Sequence, residues 1–285
     1  MRPRIVVVGA LLLAASRLAQ AVEAPPAPAP LVLAVNPYAT KAEIVRRLSP
    51  FAAYVGRAIG QPITVRVGGT YAEHVFAIGH DEVDIAFVGP APFIRVLERF
   101  GSKPILARFE VAEGKSLRGV IAVRSDSPIR SLAELRGRRV AFADPDSTMG
   151  YYVPAWMMLK AGVPLTALGG YRFVAIHPNV AVGVLSGDFD AGAMMREVYE
   201  RFAPRGLRIL AETSAAPERL FITRSTLAPA LIERLRATLL TMHESPEGLA
   251  ALHTLLPDLA RLVPASEADY QPLRVIMKEL AAGPH

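Results

Sequence analysis

The sequence predicts an α/β protein of two similar lobes. Two observations carry this. Short apolar runs alternate with amphipathic ones at the spacing of strand–helix–strand units. The alternation occurs twice, and each round contains a strand that opens on an apolar residue and an aspartate, Val83-Asp84-Ile85-Ala86 and then Phe189-Asp190-Ala191-Gly192. With 285 residues, 52% hydrophobic and 20% charged, the chain can fill one large core or two modest ones.

The first segment reads as an export signal. Arg2 and Arg4 precede an apolar run over residues 5–15, too short to span a bilayer, and Ala19-Gln20-Ala21 is a small-x-small cleavage site. Residues 1–21 are therefore the expected signal peptide, and the Pro/Ala-rich residues 22–30 a stiff spacer. No later run of 18 apolar residues follows. The sequence contains no cysteine, which excludes disulfides, thiolate metal sites, a cysteine nucleophile and a lipid-anchored cysteine. A periplasmic protein without a lipid anchor is the expectation. Removing Arg2, Arg4 and Arg17 lowers the net charge from +6 to about +3. The remaining basic residues are scattered pairs such as Arg46-Arg47, which argues against nucleic acid as partner.

Leu31 to Val35 is an apolar strand ending at Asn36-Pro37-Tyr38. Residues 41–59 form an amphipathic helix with Ile44, Leu48, Phe51, Ala52 and Val55 on one face. Ile63–Val67 is the second strand, closed by Gly68-Gly69-Thr70-Tyr71, and Val83–Val88 the third, followed by Gly89-Pro90-Ala91 and a helix. Parallel sheets of this kind bind ligands at the carboxyl ends of their strands, where Tyr38, Tyr71 and Gly89-Pro90-Ala91 stand. Leu117 to Val123 is a further strand, and Ser131-Leu132-Ala133-Glu134 reads as a capping box before a short helix ended by Gly137. Phe173 to His177 reads as a strand ending in a histidine, and Ala181 to Leu185 as helix. Leu220–Thr223 is strand-like, and from Pro229 on the chain reads as mostly helical. Segments near 116–124 and 208–214 are candidates for strands crossing between lobes.

Between the strand Val140–Ala143 and the helix-like run from Ala155 lies Asp144-Pro145-Asp146-Ser147-Thr148-Met149-Gly150-Tyr151-Tyr152. The first amides of a helix lack internal partners and bind anions without a basic side chain. Ser147 and Thr148 add hydroxyl donors. A lone hydroxyl here would be a helix cap; two hydroxyls, a glycine and an aromatic together favour a ligand site.

This stretch resembles the Asp-Ser-Thr-Ser-Gly-Tyr segment of the phosphonate/phosphite-binding proteins of ABC transporters, with Met149 in place of the second serine. The runs Asp84 to Pro90 and Ser131 to Gly137 also match, and the resemblance spans roughly residues 31–280. It implies a two-lobed type II periplasmic binding protein, each lobe a mostly parallel sheet flanked by helices, with two hinge crossings. Residues 31–116 and 215–285 would form the first lobe and 117–214 the second. It implies capture of a phosphonate, phosphite or phosphate between the lobes for ABC import by a membrane permease, with no enzyme activity, cofactor or metal, and a monomer. The resemblance assigns the anion to Ser147, Thr148, the Met149 and Gly150 amides and His177. Tyr71 and Tyr38 would close from the first lobe, with Gly89, Pro90 and Ala91 beside them. Glu197 would be the acid that holds an amino group on the ligand. Loss of one serine hydroxyl leaves the identity of the anion open.

Two other readings stay open at this point. The same fold can present its ligand to a membrane sensor kinase or cyclase. An exported serine hydrolase would need Ser147, His177 and Asp190 as a triad, although no Gly-x-Ser-x-Gly elbow surrounds Ser147. The six histidines show no paired metal-ligand spacing.

Overall fold

The computed structural model describes residues 28–112 and 116–283. The expected signal peptide lies outside the described residues, as does most of the spacer; residues 28–30 are exposed and without regular structure. Two sheets are present. The first has the order β11-β4-β10-β3-β1-β2, from Leu31–Val35 (β1), Ile63–Val67 (β2), Ile85–Val88 (β3), Ile105–Val111 (β4), Leu220–Thr223 (β10) and Leu259–Val263 (β11). The second has the order β7-β6-β8-β5-β9, from Gly119–Arg124 (β5), Arg139–Phe142 (β6), Gly170–Phe173 (β7), Ala191–Met195 (β8) and Leu207–Glu212 (β9). Strand pairing makes β1 to β4 run one way in the first sheet against β10 and β11. In the second, β6 to β9 run one way against β5 alone. Only two of the five pairings in the first sheet and two of the four in the second are parallel, so both sheets are mixed, where the alternation predicts mostly parallel ones. The strands β10 and β5, which run against their neighbours on both sides, and the edge strand β11 make the difference.

The aspartate echo has a physical basis. Asp84, at the start of β3, accepts a hydrogen bond from the Val32 amide of neighbouring β1 at 2.8 Å. Asp190, at the start of β8, accepts one from the Arg139 amide of neighbouring β6 at 2.8 Å. Each carboxylate satisfies an amide one residue before the ladder between the two strands begins.

Helix α1 (Lys41–Ile59) is capped by Thr40, whose hydroxyl accepts from the Glu43 amide, and it buries the predicted face. Its Phe51 stacks on Phe221 of β10 with ring centroids 4.8 Å apart, and Phe221 also meets Phe87 and Phe109. Aromatic pairs of this kind each contribute about 0.5–1.5 kcal/mol beyond their burial. Helices α2 (Tyr71–Gly79) and α3 (Pro90–Phe100) follow β2 and β3, so their N-termini sit at the carboxyl ends of those strands. In the second lobe α4 (Val153–Lys160), α5 (His177–Leu185) and α6 (Arg196–Phe202) do the same for β6, β7 and β8. Helices α7 (Pro229–Thr241) and α8 (Pro246–Leu255) pack on the first sheet, and α9 (Gln271–Ala282) lies against both α3 and α4.

Four further sequence readings are corrected. The run Phe173 to His177 is not one strand: β7 ends at Phe173, Ala175 takes a left-handed φ of 72°, and His177 begins α5 with Pro178 in its first turn. Residues 131–134 form no capping box; Leu132–Leu135 is a single 3₁₀ turn, and Glu134 accepts instead from the Arg130 amide and the Ser131 hydroxyl. The segments near 116–124 and 208–214 mostly belong to the paired strands β5 and β9 of the second sheet, so among the described residues the connections to the first sheet lie just outside them, where Leu117 and Ala216 form an isolated bridge. There Gly119 and Thr213 exchange hydrogen bonds, the Gly119 amide to Thr213 Oγ1 at 2.8 Å and the Thr213 amide to the Gly119 carbonyl at 2.9 Å. The C-terminal region also contains the strand β11, which the surrounding helical pattern concealed.

Candidate functional site

A cavity of about 40 Å³ lies between the two sheets, at the carboxyl ends of β1, β3, β6 and β8. A water needs about 10–15 Å³ on the same measure, so the space suits an ion of a few heavy atoms. Of the residues the sequence singles out, Ser147, Thr148, Met149, His177, Tyr71, Tyr38, Gly89 and Pro90 line it.

The second-lobe wall is built first by a turn. The Asp146 amide donates to Asp144 Oδ1 and the Ser147 amide to the Asp144 carbonyl, which orders the loop leaving β6. The chain then enters a π-helical turn, Thr148–Tyr152, with the Tyr152 amide donating to the Ser147 carbonyl. Such turns widen the helix start and recur at functional sites. Ser147 is a true cap: its Oγ accepts from the Gly150 amide at 3.0 Å. The Gly150 amide is therefore engaged within the turn. A Cβ on Gly150 would stand 2.5 Å from Ala143 Cβ, 2.7 Å from Ser147 Oγ and 2.9 Å from His177 Cε1, so only glycine allows this approach.

His177 is buried, 1% exposed. Its Nδ1 accepts from the Met195 amide at 3.1 Å, and its Nε2 lies 3.4 Å from Ser147 Oγ. An accepting Nδ1 assigns the proton of the neutral ring to Nε2, which then points a donor at Ser147 and the cavity. Burial holds the His177 pKa down to about 3, so the ring stays neutral at neutral pH.

The first-lobe wall reaches across. The Ala91 amide, at the start of α3, donates to Thr148 Oγ1 at 3.0 Å. That accounts for Ala91, which the structure places beside Thr148 but outside the cavity lining; Pro90 has no amide to offer. The Tyr71 hydroxyl is within hydrogen-bonding reach of Ser147 and Asn36, and burial raises its pKa. Asp144 stands behind Tyr71, and burial pushes its carboxyl up to about 6. Tyr38 is half-buried and packs edge-on against Phe87.

Glu197 does not line the cavity. Its Oε1 accepts from Arg219 Nη2 at 2.8 Å and its Oε2 is 3.9 Å from Arg47 Nη1. Burial pushes its pKa up, but Arg219 and Arg47 outweigh burial and hold the carboxyl below the usual range. Around this pair the lobes are clasped at the rim. Arg201 of α6 meets Glu43 of α1 at 2.8 Å, and Arg95 of α3 donates to the Tyr152 hydroxyl at 2.7 Å. Among the described residues no cluster of three or more His, Asp or Glu side chains is placed to hold a metal.

Residues 33–270 match the family of periplasmic phosphonate substrate-binding proteins of ABC transporters. The chain belongs to that family. Its members are binding proteins and not enzymes, and the geometry agrees. The triad Ser147, His177 and Asp190 is not formed, because His177 Nδ1 takes the Met195 amide and Asp190 takes the Arg139 amide at the far end of β8. The chain is 23% identical over 274 residues to the phosphate-import protein PhnD of Mycolicibacterium smegmatis, covering 87% of this chain and 84% of that one. The fold is that of the binding-protein component of an ABC phosphonate transporter from Pseudomonas aeruginosa (TM-score 0.80, 20% identity, 89% of this chain and 87% of that one). It is also that of PhnD1 from Prochlorococcus marinus, solved with methylphosphonate (TM-score 0.78, 19% identity, 88% and 98%). A family of periplasmic proteins places this chain in the periplasm, and among its described residues no helix is long and apolar enough to cross a membrane.

Six further residues, Asn36, Phe87, Pro92, Leu117, Met195 and Arg219, complete the lining beyond those the sequence singles out. Asn36 directly follows β1, the position at which such sheets bind ligands, so a signal for it existed. Arg219 sits on a crossing between lobes, where no periodicity marks it.

Proposed function

We propose that this protein captures a small phosphorus oxyanion, namely phosphite, methylphosphonate or phosphate, between its lobes and hands it to the permease of an ABC importer. The observation that carries the reading is the convergence of uncharged donors on one small cavity: the hydroxyls of Ser147, Thr148 and Tyr71 and the Nε2–H of His177. Thr148 Oγ1 already accepts from Ala91, so its own proton is left for an anion. Preorganised neutral donors in a dry site stabilise an anion strongly because they need no reorganisation. Met149 fills the place of a third hydroxyl; its side chain is buried and its Sδ accepts from Thr213 Oγ1 at 3.5 Å. The motif thereby touches the crossing between the lobes, which gives ligand binding a mechanical route to lobe closure. The protein works as a monomer, exported by a signal over residues 1–21, with lobes over 31–116 with 215–285 and over 117–214.

The test is thermal unfolding of the full mature chain against phosphite, methylphosphonate, phosphate, sulfate and small organic acids. Ligand at 100 times its dissociation constant stabilises by about 2.7 kcal/mol, which is a clear rise in melting temperature. The rise is expected with at least one phosphorus oxyanion and is expected to vanish in Thr148→Ala. A flat response across the panel would sink the proposal.

A further inference from the structure

Arg219 is the one side chain with a full charge in the cavity lining among the described residues, since His177 is neutral. It stands on the crossing into β10, its side chain 12% exposed. A guanidinium offers five donors in a fixed fork. One goes from Nη2 to Glu197 Oε1 at 2.8 Å and another from Nη2 to Met195 Sδ at 3.4 Å, while Nη1 stands 3.9 Å from Glu218. The charge is thus fixed at the cavity wall by two acids, neither of which lines the cavity.

Glu197 is spoken for. Arg219 takes one oxygen and Arg47 faces the other, so two cations already surround the single carboxylate. Asp144 is also outside the lining, and its Oδ1 accepts from the Asp146 amide. An ammonium group on a ligand would find no free carboxylate in a space of about 40 Å³ and would stand close to a guanidinium. Like charges at a few ångströms in a poorly solvated site repel strongly.

Resting on the functional reading above, we infer that Arg219 is a specificity-determining residue: the protein carries its own cation where an amino group would sit, and so takes amine-free phosphorus oxyanions and rejects amino-substituted ones. Arg219 supplies a cation to the same cavity that Ser147 and Thr148 line, and Glu197 positions it.

Calorimetric titration of the full mature chain with methylphosphonate and with aminomethylphosphonate at pH 7.5 tests this, since the two probes differ by one ammonium. Methylphosphonate is expected to bind more than about 30-fold tighter, and a smaller ratio overturns the inference. Arg219→Gln is expected to cut that ratio at least about fivefold, because the lost attraction to the oxyanion weakens both probes alike while the lost repulsion favours aminomethylphosphonate alone. A smaller cut overturns it too. Should the variant fail to fold by circular dichroism, the wild-type ratio decides alone. Wild-type protein that takes phosphate or phosphite but neither alkyl probe makes size the filter, which also overturns the inference. Wild-type protein that binds no oxyanion at all overturns the functional reading instead.

Discussion

The two sides of the cleft use opposite physics. The second-lobe wall, Ser147 to Gly150 with His177, is buried, carries no charge and is satisfied by its own hydrogen bonds. The rim, where Arg201 meets Glu43, Arg95 meets Tyr152 and Asp146, and Glu197 meets Arg47, is ionic and largely half-exposed. A neutral wall can be built tightly because nothing in it must be desolvated as a charge. An ionic rim tolerates water and distance, so it can form and part as the lobes move. The comparison predicts that damage to the wall is costly and specific, whereas damage to the rim is mild and sensitive to salt.

The largest effect is expected from Gly150→Ala. The added methyl group meets Ala143, Ser147 and His177 at once, so the turn must shift and two donors move with it. Overpacking costs about 1–3 kcal/mol of stability. Oxyanion binding should be lost from calorimetry altogether. Binding within about tenfold of wild type would show that the wall is more forgiving than this comparison holds.

His177→Leu should come next. It removes one donor to the anion and strands the Met195 amide, which costs about 1–3 kcal/mol in urea unfolding. Affinity should fall roughly 10–100-fold. The pH profile sharpens the point. The folded imidazole has its pKa held down to about 3 by burial, against about 6.5 in the unfolded chain. The unfolded state therefore binds the extra proton, and stability is lost as pH falls from about 6.5 toward 3. Buried His74, held down to about 4, acts in the same direction. Asp144, raised to about 6, acts in the opposite direction between about 6 and 4. Removing His177 should flatten the acid-side slope by about one proton, or about 1.4 kcal/mol per pH unit. An unchanged slope would mean that the ring is not held neutral.

The smallest effect is expected at the rim. Arg95→Gln breaks the contacts to Tyr152 and Asp146 across the cleft. Exposed pairs are worth about 0.2–1 kcal/mol, so affinity should fall about fivefold at most. The difference from wild type should shrink in 0.5 M salt. A larger loss that ignores salt would make the rim part of the wall and erase the distinction.

Much of the site was legible because it follows local rules. Ser147 and Thr148 stand between an apolar strand and a helix, and the two aspartates repeat at the same place in each sheet. What stayed hidden depends on residues far apart. Arg219 and Glu197 are 22 positions apart and meet only because the chain returns from the second lobe. The role of His177 rests on the Met195 amide, contributed by a different strand. Leu259–Val263 is a strand only because β4 offers it an edge, while its neighbours on either side are helical. Glu197 meets Arg219 and Arg47, contacts made in tertiary space that no local pattern marks.

The position of β10 has a consequence for how the chain is made. It lies between β3 and β4, and its Phe221 is the centre of the aromatic cluster on α1. The first lobe therefore has a missing plank in the middle of its floor until residue 223 has arrived. The strands of the second sheet, by contrast, run uninterrupted from residue 119 to 212. In a chain that emerges from its N-terminus, the segment delivered first must wait for one delivered late, and the later-begun half can be finished earlier. Assembly order thus runs against synthesis order, and the apolar faces of β3 and β4 are what a chaperone would have to shield in the interval.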